Sequence, residues 1–146
     1  MRGIMSESAS LDKPYPPKVS LILRGKELDP KKIDEMLGIN SYGSFKQGDK
    51  RPKDNNKWTF GFWMFSSSEK IESMDLMVHI KWLLEQLEPV QTKLKEILKD
   101  ETIEAELDCF WIMPSTHEEI ILEPELLRKI AQLGIPLALG MYSPDD

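Results

Sequence analysis

The chain has one cysteine, Cys109, in 146 residues. That scarcity excludes an intramolecular disulfide framework and any multi-cysteine zinc site. It suits a reducing, intracellular setting. Histidine is nearly as rare, with His79 and His117 the two copies, and no His-x-His or Cys-x-x-Cys spacing occurs. Glycine-rich phosphate loops and a Gly-x-Ser-x-Gly elbow are missing too, so neither a nucleotide cradle nor a hydrolase nucleophile is signalled. No apolar run approaches the ~20 residues of a membrane helix, and residues 1–10 hold no apolar segment of a signal peptide. The expectation is a cytoplasmic globular protein with no cofactor, no metal, no membrane contact and no catalytic residue that can be assigned.

Charge is unevenly spread. The total is −6, but residues 1–70 carry 13 Lys+Arg against 9 Asp+Glu (+4), and residues 71–146 carry 6 against 16 (−10). Between Asp100 and Leu127 there are nine acids and no Lys or Arg. An acidic chain is a poor non-specific ligand for nucleic acid. Its acidic half attracts a basic partner or a cation instead.

What the chain does have is a dense aromatic stretch, Trp58-Thr59-Phe60-Gly61-Phe62-Trp63-Met64-Phe65. Trp58, Phe60, Phe62 and Met64 fall on one parity, Trp63 and Phe65 on the other. Apolar residues on both parities predict a central strand covered on both sides. Before it, Val19–Arg24 reads as a strand with Val19, Leu21 and Leu23 inward. Asp29-Pro30 then caps a helix over Lys31–Leu37 that buries Ile33, Met36 and Leu37 and stops at Gly38. Residues 40–57 read as a long polar loop whose part 46–57 is basic.

After the aromatic strand, Met74–Leu87 has helical periodicity, with Ser73 as N-cap and an apolar face of Met74, Met77, Val78, Leu84 and Leu87 that Ile80 and Leu83 broaden. Pro89 predicts a kink or a new helix over Val90–Lys99 that buries Val90, Leu94, Ile97 and Leu98. Ile103–Met113 alternates as a strand, Glu123–Leu133 is a helix ended by Gly134, and Ile135–Tyr142 is the last strand. The order β-α-β-α(α)-β-α-β predicts an α+β fold with a four-stranded, mostly antiparallel sheet covered by three to four helices. Alternating elements also admit parallel crossovers, so strand order stays open. The organisation expected is a flexible extension over 1–17, a single domain over 18–143 and a tail over 144–146.

Three groups of side chains carry potential chemistry. Glu104, Glu106 and Asp108 are spaced i, i+2, i+4 on a strand, which lines up carboxylates about 7 Å apart on one face. Such a row presents a negative surface, or holds a divalent ion, or keeps an edge soluble. Glu118 and Glu119, beside His117, extend the acidic run into a loop. The second group is Lys46 and Arg51 on the basic loop with Trp58, a setting for an anionic ligand. The third is His79, with Asp75 one helical turn earlier, either a base with its orienting carboxylate or a polar helix contact. Cys109 lies on the inward parity of its strand, where a thiol is inert.

Four local patterns occur together in order: Leu28-Asp29-Pro30 with Ile33 and Leu37-Gly38-Ile39; Phe45-Lys46-Gln47-Gly48-Asp49 followed by Trp58; Asp75 through Leu84 with Leu87-Glu88-Pro89; and Leu126-Leu127 with Leu133-Gly134-Ile135-Pro136-Leu137, ending at Tyr142. Over about Val19 to Tyr142 they resemble the bacterial domain-of-unknown-function family 4279. Ala138 and Gly140 depart from it, standing where the family often has polar or acidic residues. The resemblance implies a small bacterial α+β domain and supplies no activity, cofactor or catalytic residue. By analogy with small families of this kind, the expectation is a non-catalytic, immunity-like interaction protein. It would mask a basic protein partner with Glu104, Glu106, Asp108, Glu118 and Glu119. The alternative is a small anionic-ligand binder or minor enzyme using Lys46, Arg51, Trp58 and His79. A monomer and a homodimer through an uncovered sheet face are both compatible with the sequence.

Overall fold

Every residue of β1 (Lys18–Gly25) from Val19 to Leu23 is buried, and the strand organises everything around it. Val19, Leu21 and Leu23 are 1%, 0% and 0% exposed in the computed structural model, which describes residues 15–144. The predicted extension over 1–17 therefore lies outside the described residues up to position 14, as do residues 145–146 of the tail. Pro17 is fully buried, and the Tyr15 ring meets Phe110 edge-on at 6.3 Å.

β1 holds the middle of a five-stranded sheet ordered β2-β3-β1-β4-β5. The strands are β2 (Gly43–Phe45), β3 (Gly61–Ser66), β4 (Glu104–Ile112) and β5 (Leu137–Tyr142). β2–β3, β3–β1 and β1–β4 pair antiparallel, while β4–β5 is parallel. The α+β class and the mostly antiparallel sheet agree with the expectation, but there are five strands instead of four. The added one is β2, three residues inside the stretch read as loop. Gly-Ser-Phe is too short to alternate, and its pairing comes wholly from β3.

The helices among the described residues are α1 (Pro30–Leu37), α2 (Leu76–Leu87), α3 (Gln91–Ile97) and α4 (Pro124–Leu133). A 3₁₀ turn at Glu88–Val90 joins α2 to α3, where Pro89 cannot donate to a helical ladder. Asp29 caps α1 by accepting from Lys31 N at 3.1 Å, and Gly38 ends it at φ 67°. Gly134 ends α4 in the same left-handed conformation.

The core lies between the helices and one face of the sheet. Leu21, Leu23, Trp63, Phe65, Leu107 and Cys109 meet Ile33, Ile80, Leu83, Leu87, Leu94 and Ile130 there. Trp63 is fully buried, and its indole N–H donates to Asp34 Oδ1 of α1 at 2.7 Å, which satisfies the polar atom of a large core residue. Gly61 is required because a Cβ there would come within 2.2 Å of the Leu28 carbonyl oxygen.

Three packing expectations need correction. The α2 face is rotated: Leu76, His79, Ile80, Leu83, Leu84 and Leu87 are buried, while Met74 and Val78 are exposed. Apolar residues all round this helix blur the periodicity, and the buried stripe runs through His79. Met36 of α1 is exposed as well. The aromatic strand is interior to the sheet, between β2 and β1, but it is not covered on both sides. Trp63 and Phe65 enter the core, whereas Phe62 and Met64 stand half-buried on the face opposite the core.

Candidate functional site

The register assembles that opposite face in rows. Phe45, Phe62, Arg24 and Glu104 follow one another across β2, β3, β1 and β4; Gly43, Met64, Ile22 and Glu106 form the next row. Ser66, Ser20, Asp108 and Ala138 come next, then Lys18, Phe110 and Gly140. These positions share a side because successive side chains along a strand alternate. The covering helices lie on the other side. Ser20 and Ser66 are nonetheless buried, joined Oγ to Oγ at 3.0 Å.

Glu104, Glu106 and Asp108 all project from this uncovered face. Glu104 is exposed and the other two are half-buried. Directly across β1 they face Arg24, Ile22 and Ser20. Glu104, Glu106, Ile22, Arg24, Ala105 and Pro136 line a shallow concavity of about 360 Å³. Like charges repel along the row, and Arg24 offsets part of that repulsion. Lys18 sits 5.5 Å from the Phe110 ring centroid, so the second cation of β1 lies over an aromatic ring beyond the row.

Glu118 and Glu119 are elsewhere. Both are exposed in the loop between β4 and α4, and they line a groove of about 440 Å³ with Met74, Asp75, Trp111 and Ile121 at the start of α2. Ser115 Oγ donates to the Glu118 carboxylate. The five acids thus form two patches, one on the uncovered sheet face and one beside the helical layer.

The basic loop folds as a hairpin. Gly48 N donates to Trp58 O at 2.9 Å, Trp58 N to Asp49 O at 2.8 Å and Arg51 N to Asn56 O at 2.7 Å. Trp58 stacks on Phe45 with centroids 3.7 Å apart, and Phe45 stacks in turn on Phe62 at 5.2 Å. The Arg51 guanidinium carbon lies 4.9 Å from the Trp58 centroid and its Nε is 3.5 Å from Asp54 Oδ1. Lys46 is exposed at the base of the hairpin. Arg51 and Trp58 therefore meet, at the aromatic corner of the uncovered face.

His79 does not join them. It is fully buried on the helical side, with Nδ1 2.7 Å from Ser67 Oγ and Nε2 2.7 Å from the Ser73 carbonyl oxygen. A carbonyl only accepts, so Nε2 carries the proton, and Nδ1 accepts from the Ser67 hydroxyl. Ser67 Oγ also accepts from Val19 N at 3.0 Å, which ties α2 to the end of β3 and the start of β1. Asp75 is not the histidine's partner: it caps α2 by accepting from Met77 N at 2.9 Å. The Ser67–His79 pair has the spacing of a nucleophile and base, but both are 0% exposed, so no substrate reaches the hydroxyl. Ser67 escaped the sequence reading because Ser66-Ser67-Ser68 looks like strand-ending punctuation.

Cys109 is 1% exposed in the core. Removal from water, helped by the neighbouring Asp108 charge, pushes its thiol up to about 12, so it stays protonated and unreactive. Among the described residues no group of three or more His, Cys, Asp or Glu side chains converges as a metal would require. No helix among them is long and apolar enough to cross a membrane.

No curated protein and no solved structure matches the chain. A protein-family model does, over residues 15–144, from the Tyr15 contact with Phe110 to just past the end of β5. That span takes in the whole sheet, its helical layer and the uncovered face, and by it the chain belongs to the family described as Domain of unknown function (DUF4279).

Proposed function

We propose that the protein is a non-catalytic interaction module, immunity-like in mode, that masks a basic protein partner with its uncovered sheet face. The observation that carries this reading is the common projection of Glu104, Glu106 and Asp108 from a face that no helix among the described residues covers. A sheet face of this kind offers a rigid platform whose side-chain spacing is set by the strands. The acidic row supplies long-range attraction and the right register for cations. Met64 and Phe62, half-buried across β1 from the row, supply apolar surface that a partner can dehydrate. The histidine that meets a hydroxyl, His79 against Ser67, is buried, which favours binding over catalysis.

The test is affinity capture with wild type and the triple variant Glu104→Lys, Glu106→Lys, Asp108→Lys side by side, at low and moderate salt. A basic protein should be retained by the wild type and lost with the variant, while the variant's circular dichroism and melting stay native. Retention of the same partner by both proteins would overturn the reading.

The stacked Phe45–Trp58–Arg51 corner supports a second reading, binding of a small anionic or aromatic ligand there. It proceeds without His79, which lies across the sheet. Thermal-shift screening with anionic metabolites checks it, and Arg51→Ala should abolish any shift found.

A further inference from the structure

The two edges of the sheet are treated very differently. β2 is three residues long and runs straight into the basic hairpin, whose Lys46 and Lys50 charge that side. β5 is six residues long, Leu-Ala-Leu-Gly-Met-Tyr, with no charge and no proline. Natural sheets blunt a free edge with charge, proline, a bulge or brevity, and β5 has none of these. Residues 130–144 carry no charged side chain at all, inside a half of the chain whose balance is −10.

The register shows what that edge offers. Leu107 N donates to Pro136 O at 2.9 Å and Met113 N to Tyr142 O at 2.9 Å. In a parallel pair alternate residues turn both main-chain groups towards the neighbour. Positions 136, 138, 140 and 142 therefore serve β4, and Leu137, Leu139 and Met141 direct N–H and C=O outwards. Leu139 and Met141 also expose their side chains, at 39% and 49%.

We propose that β5 pairs with β5 of a second copy of this chain, antiparallel about a two-fold axis at Leu139, joining two sheets into one. The strand is self-complementary under that operation. Leu139 meets Leu139, and Leu137 meets Met141 twice, which gives about six main-chain hydrogen bonds. On the helical side this makes one apolar row; on the other side Ala138 meets Gly140, small against small. A second copy fits better than a charged partner strand because this edge is neutral and an isologous contact needs only one such surface. Repulsion between the two −6 chains is not concentrated there. The acidic rows on β4 lie three strand spacings apart across the joint, ~14 Å, against a screening length of ~8 Å at physiological salt. A contact of this size sits at the low end of specific interfaces, about 1,200 Å² or below, so a micromolar dissociation constant is expected. The inference stands independently of the acidic-face reading.

Sedimentation or light scattering of the full chain over a concentration series tests it. The average mass should rise from 16.9 kDa towards twice that value. Leu139→Lys, which sets two like charges on the axis, should weaken the dimer at least about tenfold. Leu127→Lys, at an equally exposed apolar position on α4, should leave it intact. Hydrogen exchange on the wild type supplies a readout without mutation: amides 139 and 141 should gain protection as concentration rises. A monomer at all concentrations, a dimer unaffected by Leu139→Lys, or exchange independent of concentration would each overturn the proposal.

Discussion

One sheet here has two faces with different physics. On the helical side, Val19, Leu21, Leu23, Trp63 and Leu107 are buried by a second layer of structure. On the other side, Ser20, Ile22 and Ser66 are nearly as inaccessible, with no helix among the described residues above them. Their neighbours in the same sheet do the covering: Met64 and Glu106 flank Ile22, and the two serine hydroxyls bond each other. Burial by lateral neighbours excludes water without locking a residue into a three-dimensional jigsaw. The helical face should therefore set stability, and the uncovered face should tolerate change and carry interaction.

The largest expected effect is on the helical face. Trp63→Ala removes a fully buried side chain and one of the two donors to Asp34 Oδ1, so a loss of about 3–5 kcal/mol is expected in denaturant unfolding. A smaller loss than that of a surface substitution would break the comparison. His79→Ala should follow, at about 2–3 kcal/mol, because the Ser67 hydroxyl and the Ser73 carbonyl lose their partner in the interior. Ser67→Ala made together with His79→Leu should cost less than the two singles added, since the bond between the two side chains is then counted once, with Val19 N and the Ser73 carbonyl left unpartnered in both accounts.

Cys109→Ala sharpens the comparison through pH. The thiol's pKa lies near 9.0 unfolded and about 12 folded, so the folded state holds its proton more tightly. That contribution is complete below pH 9 and is lost as pH climbs towards 12. The alanine variant should be less stable at neutral pH by about 1–2 kcal/mol. The gap should narrow as pH rises past 9, and a gap independent of pH would contradict the burial account. Smallest of all should be Phe62→Ala and the acidic-row reversal on the uncovered face, at about 1 kcal/mol or less. The reversal variant gains no relief of like-charge crowding, since three lysines repel along β4 as the three acids did and Arg24 turns from attracting the row to repelling it.

Much of this fold was legible because local signals agreed with the tertiary result. Asp29-Pro30 and Gly38 bracket α1, Gly134 ends α4, and the alternation from Glu104 to Ile112 named the acidic row before any strand was placed beside it. What stayed illegible is information that pairing creates. β2 exists only against β3, Arg24 matters only because β1 lies next to β4, and the open face of the aromatic strand depends on which side the helices chose. Apolar composition alone could not separate a covered face from a laterally buried one. His79 misled for a related reason: a helical His with Asp75 four residues away suggests a functional pair, but the N-cap competes for that carboxylate.

The most direct test of the central claim is a binding isotherm of a lysine-rich peptide against four proteins under one salt condition. They are the wild type, Arg24→Gln, the Glu104/Glu106/Asp108 charge reversal, and a Glu118/Glu119 charge reversal. The account predicts affinity a few-fold tighter with Arg24→Gln, at least about tenfold weaker with the row reversed, and little changed with the loop reversed. Equal binding by all four, or loss confined to the loop variant, would show that the uncovered sheet face is not the surface that recognises a basic partner.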